Sequence, residues 1–525
     1  MNSNQNQKES VEETIRTMKE FPNNQVIQFN GCRALTNISV NEENQIEIRN
    51  LKGIESIIKS MNNFPNNQDI QRNGCRALLN IAVNNNENRI EIRNLKGIES
   101  IIKAMNNFPN NQDIQEKGCG ALWDIAINEE NQIEIRNLKG IEYIIKAMNN
   151  FPNNQFIREY GCGALGNIAA DNNENQIEIR NLKGVEYIIK AINNFPNNQN
   201  IQRNGCGALR NIAYNEGNQI EIRNLKGIEY IIKAMNNFPN NQDIQEKGCG
   251  ALWDIAVNNN ENQIEIRNLK GIEYIIKAMN NFPNNQYIQE NGCGALSSIA
   301  VNNENKIEIR NLKGIEYIIK AMNNFPNDQF IQEYGCGALW NIAADNNENQ
   351  IEIRNLKGIE LIIKSINNFP NNQNIQENGC GALWNIVADN NENQIEIRNL
   401  KGIEYIIKAM NNFPNNQNIQ EYGCGALGSI AVNNENQIEI RNLKGIEYII
   451  KSMNNFPNNQ FIQEYGCEAL GNISLNEENQ IEIRNLKGIE LIQKAMNNFP
   501  NNQYIQRNGK LILERFEKKS NFFNF

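Results

Sequence analysis

The chain has 525 residues, 51 basic against 60 acidic, for a net charge of −9 at neutral pH. That balance argues against a broad nucleic-acid surface, which needs clustered Lys and Arg, and no apolar run approaches the ~20 residues needed to cross a bilayer. There is no histidine, which excludes histidine general bases, histidine-containing triads and histidine metal ligands. Twelve prolines, each in the tripeptide Phe-Pro-Asn, recur about every 44 residues. A fixed period of ~40–47 residues signals a solenoid of helical repeats, each stacked only on its neighbours. Length alone would have suggested roughly three or four globular domains.

In chain order, residues 1–10 are polar, show no signal-peptide pattern and are expected to be disordered. Ser10-Val11-Glu12-Glu13 reads as a capping box, and the first unit lacks a short helix found in later ones. Residues 131–175 show the full pattern. Gln132 to Lys139 carries an Ile-Glu-Ile alternation too short for periodicity to decide. Gly140 then breaks the chain. Ile141, Ile144, Ile145, Met148 and Phe151 form the stripe of an amphipathic helix, which Pro152 ends. Asn153 or Asn154 caps a third helix running to about Ala169 or Ala170. The expected order is a short helix, a glycine bend, a second helix, a Pro-Asn turn and a longer third helix. Copies of 43 and 44 residues differ only in the loop after the third helix, where an extra residue costs little. At the far end Lys510 replaces a cysteine and Gln493 an isoleucine. Glu514, Arg515 and Glu517 there make the outer face polar, as a terminal repeat requires. The apolar tail Phe522, Phe523 and Phe525 is expected to fold back, with recruitment of a partner as the alternative.

Eleven cysteines, from Cys32 to Cys467, occur one per repeat, and no CxxC pair exists to build a zinc site. Equivalent positions on stacked helices lie ~8–10 Å apart, beyond the ~7 Å limit for a disulfide. They read as small buried hydrophobes. Unpaired thiols without a signal peptide point to the cytosol or nucleus. No metal, cofactor or catalytic residue set is expected, so the chain reads as no enzyme.

The strings KGIEYIIKAM (Lys226 to Met235) and IQEKGCGALWDIA (Ile244 to Ala256) resemble the armadillo repeat. The resemblance runs from about residue 11 to 518. HEAT repeats, the nearest alternative, have two helices and no short first helix ended by glycine. The resemblance implies an all-α, right-handed superhelical α-solenoid with three helices per 43–44-residue repeat. It would comprise an N-cap over about 11–44, repeats over 45–478, a C-terminal cap over 479–518 and an aromatic tail over 519–525.

Comparison between copies separates two arcs of the third helix, placed on a wheel at roughly 100° per residue. Ile114, Gln115, Gly118, Cys119, Ala121, Leu122, Ile125 and Ala126 are nearly constant. Asp113, Glu116, Lys117, Gly120, Trp123 and Asp124 vary and are expected to face solvent. In armadillo proteins the third helices line the concave groove, so by resemblance the variable arc is that groove. It holds the aromatics Phe156, Tyr160, Phe330, Tyr334, Tyr422, Phe461 and Tyr465 and the tryptophans Trp123, Trp253, Trp340 and Trp384. Asparagines recur at one place: Asn37, Asn80, Asn167, Asn211, Asn341, Asn385 and Asn472. In armadillo proteins such as importin-alpha, asparagines at the matching position hold the backbone of an extended peptide. Asp124, Asp254, Ser298 and Ser429 interrupt the series here, and importin-alpha's tryptophan before the Ala-Leu pair is replaced, as by Gly120 or Arg33.

The arc is also polarised in charge. Arg33, Arg72, Arg76, Arg203 and Arg210 fall in the early repeats, whereas Glu290, Glu333, Glu377, Glu421, Glu464 and Glu468 fall from the seventh onward. Carboxylates beside aromatic faces suit a cationic side chain. The expected function is a non-enzymatic protein–protein interaction scaffold holding an extended, partly basic segment, any acidic stretch of which lies toward the early arginines. The alternatives are an importin-alpha-like transport adaptor for basic cargo and a cytoskeletal or axonemal structural role. The first would want an N-terminal basic segment, and Met1 to Ser10 holds only Lys8.

Overall fold

A computed structural model describes residues 2–520, with side chains described for 10–517; the tail phenylalanines lie outside the described residues. Among the described residues there are 35 α-helices and no strand. The chain divides into two compact units, Met1–Tyr274 and Ile275–Phe525, and within each the third helices of successive repeats pack side by side. The opening repeat has two helices, Asn2–Glu20 and Gln25–Ile38, and eleven three-helix repeats follow. The first helix, Asn2–Glu20, takes in the polar lead segment. Ser10 consequently lies inside a helix, where its carbonyl accepts from the Thr14 hydroxyl at 2.7 Å. No capping box forms there, because a cap residue must sit outside the helical backbone.

Repeat four shows how the sequence sets the geometry. Its helices are Glu129–Asn137, Gly140–Asn150 and Gln155–Ala169. The ambiguous first segment is helical, with Asn131, Gln132 and Ile135 buried along one side. The residue that bends the chain is not Gly140 but Lys139, held at φ 61°, and no glycine among the described residues has positive φ. Gly140 is required for a different reason. A Cβ there would lie 2.5 Å from Ile135 Cγ2 and 2.9 Å from the Ile135 carbonyl oxygen. Of the two candidate caps, Asn154 acts: its side chain accepts from the Ile157 N–H at 2.9 Å.

Ile141, Ile144, Ile145 and Met148 are buried as the stripe requires. Glutamine on the third helix ties the turn together. The Gln115 amide donates to the carbonyls of Met105 (2.7 Å) and Phe108 (3.0 Å) across the Pro-Asn turn. In repeat four Arg158 replaces it and donates to the Pro152 and Tyr187 carbonyls, both at 3.3 Å. Successive first helices are linked by ion pairs such as Arg93–Glu130 and Arg136–Glu174. The length variation lies where expected. In each of the five 44-residue spacings between cysteines a loop residue takes positive φ: Asn84, Asp171, Asn258, Asp345 and Asp389. Asn and Asp are the non-glycine residues that tolerate this region best. All eleven cysteines are buried and free. At the C-terminal cap Gln493, Lys510, Glu514 and Glu517 are exposed. Arg515 instead turns inward and donates to the Gly471 carbonyl and, at 3.0 Å, to Ser474 Oγ.

Candidate binding surface on the third helices

In the third helix of repeat three, Gln112–Ile125, the near-constant residues Ile114, Gln115, Gly118, Cys119, Ala121, Leu122 and Ile125 are buried. Among the variable residues Asp113 is exposed, and Glu116, Lys117, Trp123 and Asp124 are partly so. Gly120 breaks the expectation, because it is buried. A Cβ on it would stand 3.1 Å from Leu79 and 3.3 Å from Tyr160. In several repeats the residue just after the cysteine faces the residue four after the cysteine of the preceding repeat. Leu79 lies over Gly120, Trp123 over Gly163, Arg210 over Gly250, Trp340 over Gly381 and Trp384 over Gly425. At Gly163, Gly381 and Gly425 an added Cβ would fall 2.5–2.7 Å from the indole. These tryptophans are therefore wedges between neighbouring third helices and do not project freely. Trp253 is likewise only partly exposed.

The other aromatics extend the same contacts. Tyr160 sits 5.8 Å from Trp123 and 6.4 Å from Phe156, ring centre to ring centre. Phe330 stacks on Tyr334 at 6.4 Å. In the C-terminal unit Tyr422 meets the edge of Trp340 at 4.9 Å and stacks on Trp384 at 6.0 Å. Tyr465 meets Trp384 at 4.7 Å and Phe461 at 6.5 Å. Phe156, Phe330 and Phe461 remain about half exposed, and so does Tyr287 at the equivalent place in repeat seven.

The asparagine series is largely engaged within the protein. The amide N–H of Asn80 donates to the Thr36 carbonyl, Asn167 to Trp123, Asn211 to Gly166, Asn341 to Ser297, Asn385 to Trp340 and Asn472 to Gly428, at 2.9–3.1 Å. Each bond crosses from one repeat to the third helix before it. Asn37, in the first repeat, has no preceding third helix and is exposed. The asparagines thus act as fasteners between successive third helices.

Charges separate the two ends. Arg72 pairs with Asp69 at 2.9 Å and reaches Asp113 at 3.9 Å; Arg203 reaches Asp243 at 3.8 Å, and Arg210 meets Asp254 at 3.2 Å. Arg33 lies against the Phe29 ring, and Arg76 is exposed with no ion pair among the described residues. The early arginines are therefore mostly neutralised in place. In the C-terminal unit Glu333, Glu377 and Glu464 accept from Asn374, Asn418 and Asn502 at 2.8–3.0 Å. Glu290 is partly buried. None of Glu333, Glu377, Glu421, Glu464 and Glu468 has an ion pair among the described residues. Burial pushes up the Glu333, Glu421 and Glu468 carboxyls, and Glu464 pushes the last two further. Burial, then neighbouring carboxylates, raises the Tyr422 and Tyr465 phenols to about 12.

A family model described as "LRRK2 ARM repeat" matches residues 4–142 and 136–317, more than half of the sequence. The chain belongs to the armadillo-repeat family. A second model, "Protein zer-1 homolog-like, C-terminal domain", matches 232–451 of the armadillo array. No curated protein matches it. Among solved structures it is similar to an engineered protein from the Northeast Structural Genomics Consortium, at 23% identity and TM-score 0.68, covering 80% of this chain and 98% of that one. It is also similar to a chain from a study of a phosphorylation switch in the interaction between cadherin and beta-catenin, at 12% identity and TM-score 0.74, covering 96% and 98%. Both likenesses concern the fold.

Two features of the armadillo surface escape a reading of single positions. One is the aspartate at the place of Phe156, seen at Asp69, Asp113 and Asp243, which occupies the arginines. The other is the size rule between repeats. Where the upper place is Gly428 or Gly471, the sequence puts the larger Glu468 or Leu511 at the lower one. That compensation is legible in the sequence once third helices are compared in adjacent pairs. Among the described residues no helix is long and apolar enough to cross a membrane, and no group of three or more His, Cys, Asp or Glu is placed to hold a metal.

Proposed function

We propose that this armadillo protein is a non-enzymatic interaction scaffold whose third helices in the C-terminal unit hold an extended, Lys/Arg-bearing segment of another protein. The supporting observation is the group of half-buried carboxylates at Glu333, Glu377, Glu421, Glu464 and Glu468, set among Tyr334, Tyr422, Tyr465 and Trp384 with no ion pair among the described residues. Carboxyls held up by burial, and at Glu421 and Glu468 also by the Glu464 charge, are relieved by a counter-charge, and an ammonium or guanidinium over an aromatic face adds ~0.5–2 kcal/mol. The fastened asparagines retain groups able to bond the main chain of such a segment. Toward the N-terminus only Arg33 and Arg76 are unpaired among the arginines assigned to the surface, so an acidic stretch finds fewer partners there than their number suggests. Eleven free thiols favour a reducing compartment, cytosol or nucleus.

The test is selection of linear peptides from an unbiased library by the wild type and by Glu333→Lys/Glu377→Lys/Glu421→Lys. Basic peptides are expected for the wild type, with affinity falling as salt rises through the range where screening acts over ~8–10 Å. If the triple variant binds the same basic peptides equally well, this reading is wrong.

A further inference from the structure

Along the third helices, the upper place four after a cysteine and the lower place after the next cysteine mostly hold complementary sizes. Two pairs are small at both places: Ser297 with Gly337, where the Ser297 hydroxyl and Asn378 still close the gap at 3.3 Å, and Gly166 with Gly207, both glycine. A cleft of about 270 Å³ opens there, lined by Trp123, Gly166, Gly207, Arg203, Arg210 and Lys247 among others. A Cβ on Gly207 would touch only the Lys247 stem, at 3.7 and 3.8 Å. In repeats three, eight and nine the same slot is filled by an indole lying over the next glycine. The volume is below the roughly 300–1,000 Å³ of small-molecule sites, so it suits one side chain. The cleft's lining carries three cationic side chains, each paired with a carboxylate outside it: Arg203 with Asp243 at 3.8 Å, Arg210 with Asp254 at 3.2 Å and Lys247 with Glu246 at 2.9 Å. Cations over a ring face attract its electron density.

We propose that the Gly166–Gly207 slot receives an aromatic side chain, phenol or indole, from a bound protein segment, replacing the ring that other repeats supply themselves. The inference rests on reading the third helices as the binding face. The slot itself can be probed without a partner, by saturation-transfer NMR with N-acetyltyrosinamide and N-acetyltryptophanamide. Ring-proton signals are expected with the wild type and are lost in Gly207→Leu. That variant copies the Gly471–Leu511 pairing and should melt no lower than the wild type, since leucine favours the helix over glycine. Trp123→Leu, which copies the Leu79–Gly120 pairing and removes the aromatic wall, should weaken the same signals. Peptides selected from the unbiased library by the wild type should be enriched in an aromatic residue, and those selected by Gly207→Leu should not. Equal ring signals in wild type and Gly207→Leu overturn the slot, as does aromatic enrichment that survives the substitution. If the amides bind in the slot and no peptide is selected, the slot stands and the reading of the surface as a segment-binding face falls.

Discussion

Asp124 and Asp254 stand where seven other repeats carry asparagine, and the exchange changes the physics of the position. Burial pushes both carboxyls up to about 6, against the pull of Arg89 on Asp124 and of Arg210 on Asp254. A folded-state pKa above the unfolded one gives stability that is full below the unfolded value and is lost as pH rises through the folded value. The loss here falls between about pH 4 and pH 6. Asp124→Asn should therefore raise stability near pH 7.5, by on the order of 2 kcal/mol, and make little difference at pH 4, where the aspartate is already neutral. Denaturant melts of both proteins across that range check it; a gain independent of pH would mean that ionisation is not the cause. The sequence showed the asparagine series and its interruptions. It did not show that the amides fasten one repeat to the next, because the Thr36 and Trp123 carbonyls they reach are 44 residues away.

The bend between first and second helices is where an element-level reading partly failed. Glycine at a helix boundary normally signals positive φ, yet Lys139 takes that conformation and Gly140 gives room for Ile135. Adjacent residues divide two demands, a left-handed turn and a close approach, that one glycine usually meets alone. Gly140→Ala should cost about 1–3 kcal/mol from overpacking. Lys139→Gly should be neutral or stabilising by up to about 1 kcal/mol, as the left-handed strain is relieved. Thermal unfolding of the two variants decides between the assignments; the reverse ranking would return the bend to the glycine. The rest of the element was legible. The Ile141-to-Met148 stripe, the Pro152 stop and the loop that absorbs the extra residue are all local signals, and local signals suffice where helices pack only on neighbours.

Over the whole molecule, the period itself carried the architecture, since each repeat must bury its stripe against the next and only stacking does this. The distribution of stability along the array is a separate matter. In such arrays stability is roughly a sum of repeat and nearest-neighbour terms, so the ends have the least support. The cysteines report on it repeat by repeat. Each is buried and free, and burial lifts the thiols of Cys32 to about 11 and of Cys75, Cys249 and Cys380 to about 12. A thiol reacts as thiolate, so a native repeat should protect its cysteine twice, by enclosure and by protonation. Iodoacetamide labelling near neutral pH, read by mass spectrometry of each cysteine, should be slow without denaturant. In rising urea it should advance from the ends, Cys32 and Cys467 before Cys206 and Cys249. Cys119 and Cys249 make a control, because residues 111–126 and 241–256 are identical in sequence. Any difference between those two thiols belongs to their neighbours and not to the helix that carries them. Loss of protection at all eleven sites together would show that the array unfolds as one cooperative body.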